Sequence, residues 1–148
     1  MIVAEAEWEN KDILVTILRA QLSILREVKS SAVKEGHTLQ QFAVLRLLSS
    51  RGGLPMNTLS EELKVSPPVI TGIVDRLEKK GLLKRTTSSV DRRRTDIDLT
   101  DDGKKAYRKI QADYRRSLHE SLARSLTPEE QETLARLLRR FDGEIRAR

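Results

Sequence analysis

Residues 66–80 read SPPVITGIVDRLEKK, and the reading of this stretch decides the fold. Projected as a helix at about 100° per residue, Ile70, Ile73, Val74 and Leu77 fall on one side, while Pro68, Thr71, Gly72, Asp75, Arg76 and Lys79 fall on the other. Ser66 is a capping residue type, Pro67 suits the first helical position, and Gly81 stops the helix. The first side is core. The second is small or weakly polar through its N-terminal half, so the backbone there can come close to another surface. Such a helix fits the major groove of a duplex and brings Ser66, Thr71 and Arg76 to base edges and phosphates. The amides at Ser66 and just after it are expected to point outward, where a phosphate binds readily. The plain alternative is a solvated surface on which Gly72 costs ~1 kcal/mol relative to alanine. The close backbone approach that a groove demands favours the first reading.

Helical signals continue on both sides. Residues 12–30 place Ile13, Leu14, Ile17, Leu18, Leu25 and Val28 at helical spacing, and Gly36 closes that run. Thr38 and Gln41 form a capping box, followed by Leu39, Phe42, Leu45 and Leu48 as one apolar face ending at Arg51, Gly52 and Gly53. Leu54, Pro55 and Met56 read as a short extended link, and Asn57 as the cap of a brief helix holding Leu59 and Leu63. After Gly81, Leu82–Thr86 reads as a strand. Thr95, Ile97 and Leu99 then alternate with Arg94, Asp96 and Asp98 as its return partner. From Thr100 a long helix carries Tyr107, Ile110, Tyr114, Leu118 and Leu122, with Asp101 and Asp102 at the favourable end of its dipole. TPEE at 127–130 is a second capping box, opening a last helix lined by Leu134, Leu137, Leu138, Phe141 and Ile145. Helix, helix, short helix, helix and a two-stranded wing, in that order, make a winged helix-turn-helix. The predicted class is mostly α with a small β-wing, a winged helix-turn-helix lobe being joined to terminal helices.

The chain of 148 residues suits one domain, and its net charge of +6 is unevenly spread. Residues 1–74 are neutral, residues 75–94 carry a net +5, and residues 95–148 a net +1. That concentration is the footprint of a phosphate-binding surface more than of general solubility. Cysteine is absent, which excludes a disulfide framework, a thiolate nucleophile, thiol-based oxidation sensing and any zinc site built on sulfur. The opening MIVAEAEWENKD is acidic where a secretory leader would be basic, and no early apolar run could span a bilayer, so a cytoplasmic location is expected. His37 and His119 are the only histidines, and neither stands in a triad-like pattern. No phosphate-cradling glycine loop occurs either, so no catalytic residue, metal ligand or cofactor is predicted.

Within the charged window, residues 88–100 read SSVDRRRTDIDLT. One Lys or Arg suffices to keep an exposed edge strand from pairing, so Arg92, Arg93 and Arg94 at a hairpin tip call for a further reason. A tip beside a major-groove helix reaches the neighbouring minor groove, whose narrow A·T stretches attract guanidinium groups. Asp91, two residues before Arg93, is placed to orient that arginine, which makes Arg93 the candidate for the groove and Arg94 a solvent or phosphate contact.

The segments MNTLSEELKVSPPVITGIVDRLEKKGLLKR and DRRRTDIDLTDDGKK together resemble the MarR family of transcription regulators, over about residues 38–106. Lys64 stands where that family often has glycine, and TTSSV where a DP-containing turn is frequent. The resemblance implies that Ser66, Pro67, Pro68, Thr71, Gly72, Asp75 and Arg76 form the base-reading helix. It makes Asp91 and Arg93 the wing pair, flanked by Arg92 and Arg94, and gives Arg85 a phosphate contact on the first wing strand. It also implies residues 38–103 as the DNA-binding lobe and residues 1–36 and 104–148 as dimerisation helices. Independently, Ile13, Ile17 and Leu18 with Leu134, Leu137, Leu138 and Phe141 are apolar stripes that a chain this short has little means to cover, so a second copy is expected against them. The function predicted is a sequence-specific regulator of duplex DNA. It would act as a homodimeric repressor on a pseudo-palindromic operator, released by a small aromatic or anionic effector as in many members of the family. A winged helix that coats DNA without sequence preference, or that binds protein, is the alternative.

Overall fold

The computed structural model describes residues 12–87, 91 and 95–147. It divides into two compact units, residues 1–114 and residues 115–148, with the division falling inside a long helix. The elements run α1 (Ile13–Lys34), α2 (Leu39–Arg51), β1 (Leu54–Pro55), α3 (Met56–Leu63), α4 (Pro67–Lys79), β2 (Leu83–Thr87), β3 (Thr95–Leu99), α5 (Asp101–Ser125) and α6 (Pro128–Arg146).

Local chemistry accounts for most of these boundaries. Asp12 caps α1 by accepting from the Leu14 amide. Both predicted capping boxes form: the Thr38 and Thr127 hydroxyls accept from the amides of Gln41 and Glu130, whose side chains return the bond. The turn between α3 and α4 passes through Lys64 at φ 52°, ψ 44°, the left-handed conformation in which glycine is at ease. That turn is closed by Ser60, whose hydroxyl donates to the Val65 carbonyl at 2.6 Å and whose carbonyl accepts the Val65 amide at 3.1 Å.

Three expectations need correction. Asn57 does not cap α3, because the chain already enters the helix at Met56 with Pro55 at the cap position and no side chain bonding there. Residues 54–56 are not a plain link: Leu54 and Pro55 form a strand that pairs antiparallel with Ile97 and Asp96, adding a third strand, in the order β1-β3-β2, to the two-stranded wing of β2 and β3 that the sequence predicts. Leu82 precedes its strand, its amide being bonded to the Leu77 carbonyl in the turn that closes α4.

One core holds the first unit together. Leu45, Leu48, Leu59, Ile70, Val74, Leu77, Leu83, Ile97 and Leu99 are all buried in it, so α2, α3, α4 and the sheet share one apolar centre. A second cluster joins α1, α2 and α5: Phe42 stacks on Tyr107 and meets Tyr114 edge-on, both at 5.8 Å between ring centroids, beside Ala32 and Ile110. Ion pairs Lys109–Glu35 (2.7 Å) and Lys34–Asp113 (3.4 Å) flank it.

The sheet is joined to α5 by a contact too close for any side chain. Thr100 donates its hydroxyl to the Gly81 carbonyl at 2.6 Å, and its amide to that of Leu82 at 3.1 Å. The same hydroxyl accepts the Gly103 amide at 3.0 Å. Gly103 is thereby held against the turn after α4, where a Cβ would strike the Leu82 carbonyl oxygen and sit 3.1 Å from Leu99 Cδ2. Gly103→Ala is therefore expected to destabilise the chain by roughly 1–3 kcal/mol, the range of overpacking in a well-packed site. Urea unfolding monitored by circular dichroism would read this as a lowered midpoint, and an unchanged midpoint would contradict the packing described.

Candidate nucleic-acid interface

The structure divides α4 as the projection does. Ile70, Ile73, Val74 and Leu77 are buried; Pro67, Pro68, Thr71, Arg76 and Lys79 are exposed; Gly72 and Asp75 are half-buried. Four apolar side chains anchoring one face fix the rotation of the helix and present the other as a rigid surface. A Cβ built on Gly72 meets nothing within 4 Å, and its φ is not in the left-handed region. The fold thus has no use for a glycine at this point, although glycine weakens a helix interior by about 1 kcal/mol.

Two details at the start of α4 differ from expectation. The Ser66 hydroxyl makes no capping bond, although Ser66 occupies the cap position. Of the first four helical residues, Pro67 and Pro68 have no N–H and the Ile70 amide is bonded to the Ser66 carbonyl at 3.0 Å. The predicted row of outward amides after Ser66 is accordingly reduced by the prolines themselves. Thr71 donates its hydroxyl back to the Pro67 carbonyl at 2.9 Å, which orients it and leaves its lone pairs as acceptors.

Arg85 lies on β2, on the same side of the strand as buried Leu83. Its guanidinium reaches α4, with Nη2 3.0 Å from Asp75 Oδ1 and Nε 3.2 Å from Glu78 Oε2. This three-residue cluster joins the helix to the wing. Sequence reasoning missed it, giving Asp75 to the base-reading helix and Arg85 to a phosphate as separate contacts and omitting Glu78. Asp91 is exposed in the segment between β2 and β3. Arg92, Arg93 and Arg94 lie outside the described residues, and with them the proposed Asp91–Arg93 pair.

The C-terminal end of α4 is tied to the turn between α1 and α2. Lys80 Nζ donates to the Gly36 carbonyl at 2.7 Å and lies 3.5 Å from His37 Nδ1. His37 is buried, and that burial, then the Lys80 ammonium, lower its pKa below the ordinary value; a hydrogen bond with Gln41 and the Glu35 charge oppose them more weakly. His37 is thus a packed structural residue. Among the described residues no group of three His, Cys, Asp or Glu could hold a metal, and no helix is long and apolar enough to cross a membrane.

The predicted dimer stripes are solvent-facing. Ile13 and Leu18 on α1 are 68% and 57% exposed, with Ile17 half-buried beside them. On α6, Leu134, Leu137, Leu138 and Phe141 are all exposed on one side.

Comparison with known proteins places this architecture. The model of the MarR family matches residues 37–95. The uncharacterized HTH-type transcriptional regulator YfiV of Bacillus subtilis is 32% identical over 126 residues, covering 85% of this chain and 78% of that protein. The chain belongs to the MarR family. The HTH-type transcriptional repressor MdtR of the same bacterium is 36% identical over 98 residues, a match spanning 66% of this chain and 63% of the length of MdtR. A MarR family protein from Bacillus stearothermophilus has a solved structure of TM-score 0.79 and 26% identity, covering 89% of this chain and 92% of that one. This MarR-family chain is a winged-helix regulator by descent and not an enzyme.

The depressed His37 pKa sets a pH dependence. The unfolded chain takes up a proton on His37 at a higher pH than the folded chain does, so the neutral imidazole contributes stability that is fully present above the unfolded pKa. That contribution is lost as pH falls through about 6.5 toward the folded value. The unfolding free energy of the wild-type chain should fall across this window more steeply than that of His37→Gln, as read from urea titrations at pH 7.5, 6.5 and 5.5. Parallel curves for the two chains would contradict the assignment.

Proposed function

We propose that two copies of this chain bind a pseudo-palindromic DNA duplex as a sequence-specific transcriptional repressor. Helix α4 of each copy lies in the major groove, and the segment between β2 and β3 reaches the adjacent minor groove. In this reading Thr71 and Arg76 meet base edges, while Ser66, Pro67 and Pro68 lie where the helix enters the groove. The wing brings Asp91, Arg92, Arg93 and Arg94 to the narrower groove. The observation that carries the proposal is Gly72, a glycine in mid-helix with free space around its Cβ position, on the face opposite a fully anchored core. A residue that weakens its own helix and is not needed by the fold fits a backbone that must approach another molecule closely.

The exposed stripe on α1 and the one on α6 support a homodimer, since an uncovered apolar stripe along a long helix is what a second copy would cover. Repression follows the relative MdtR, which is a transcriptional repressor by name. Release by a small aromatic or anionic effector follows the family resemblance.

The test uses genomic fragments that the full chain retains at physiological salt, in competition with random duplex. The wild-type chain should prefer the retained fragment by at least about a thousandfold, the lower end of specific recognition. Gly72→Ala should raise folding stability by about 1 kcal/mol and weaken binding to that fragment by roughly tenfold, comparable to one lost base contact. Equal wild-type affinity for both DNAs would replace the proposal with the non-specific coating role, and unchanged binding by Gly72→Ala would remove α4 from the groove.

A further inference from the structure

Asp75 and Glu78 stand three residues apart on α4, so both carboxylates project from one side of the helix proposed to face DNA. Like charges at this spacing repel each other, and a pair of acids beside a polyanion opposes association. Arg85 crosses from β2 to both, using a different N–H group for each: Nη2 at 3.0 Å from Asp75 and Nε at 3.2 Å from Glu78. Its aliphatic stem leaves the strand on the same side as Leu83, which is buried in the core that also holds Val74 and Leu77. The guanidinium is therefore directed along α4 by a strand whose register with β3, Arg85 opposite Ile97, is itself set.

The geometry points to Arg85 as a positioning residue that acts on DNA through Asp75 and Glu78, not through a phosphate contact of its own. It screens the two carboxylates on the reading helix and braces that helix against the first wing strand, so the two reading elements are held at one relative angle before DNA arrives. A planar fork can engage two separate carboxylates at once; an ammonium is a point charge and cannot hold the same arrangement. The inference deepens the proposed function and rests on it.

The experiment compares wild type, Arg85→Ala, Arg85→Lys, the double variant Asp75→Asn with Glu78→Gln, and the triple variant that adds Arg85→Ala. Each binds the retained fragment at several salt concentrations, after a thermal melt has established that it is folded. Arg85→Ala should weaken binding at least about tenfold when the acids are present and less than about twofold when they are amides. The slope of log affinity against log salt should not change in either background, because no phosphate contact is removed. Arg85→Lys should restore only part of the loss, whereas at a phosphate contact lysine is a competent replacement. Equal losses in both backgrounds, with the slope reduced by about 0.9 as for one phosphate contact, would overturn the inference. Sequence preference retained by the wild-type chain would show in that case that the DNA reading itself survives; a wild-type chain without preference would remove both.

Discussion

Everything proposed for this chain depends on the burial of one face of α4. Ile70, Ile73, Val74 and Leu77 sit in the same core as residues from α2, α3 and the sheet, and no rotation of the helix keeps them there while presenting a different outer face. Burying an aliphatic side chain of this size contributes about 1.5–3 kcal/mol. Four of them outweigh the roughly 1 kcal/mol lost to Gly72, so a glycine can be carried on the outer face without unravelling the helix. The fold supplies rigidity from inside, and the reading surface is left free to be chosen by its partner.

The wing is fixed to that helix at two levels. Backbone and hydroxyl bonds from Thr100 to Gly81 and Leu82 join the turn after α4 to the start of α5, and the absence of a side chain at Gly103 allows the approach. Farther out, Arg85 bridges Asp75 and Glu78. At the same C-terminal end of α4, Lys80 binds the Gly36 carbonyl beside buried His37, so the helix is also held to the turn that follows α1. In all three connections a polar or charged side chain makes its bond next to a buried residue: Thr100 at Leu82, Arg85 on the side of Leu83, and Lys80 at His37.

What the sequence made legible follows from the range of the forces involved. Periodicity separated Ile70, Ile73, Val74 and Leu77 from Thr71, Gly72 and Arg76, because a helix repeats its environment every few residues and the pattern lies within one stretch. The capping boxes at Thr38 and Thr127 were readable for the same reason, both partners being three residues apart. Strand β1 was not, since two residues ending in proline carry no alternation, and pairing with Ile97 and Asp96 is decided by chain more than forty residues away. Asn57 was misread as a cap because its residue type suits the role, while the fixed backbone of Pro55 starts the helix earlier. The Arg85 cluster and the Lys80–Gly36 bond are tertiary contacts, and no local pattern distinguishes a cation aimed at its own helix from one aimed at DNA.

The central claim, that two copies of α4 read the major groove of one duplex, is tested most directly by methylation interference at guanine N7, an atom exposed only in that groove. On a retained genomic fragment, methylated guanines that block binding should fall in two blocks with centres about ten base pairs apart, matching two recognition helices related by a two-fold axis. Binding that is indifferent to N7 methylation, or interference confined to a single block, would contradict the account.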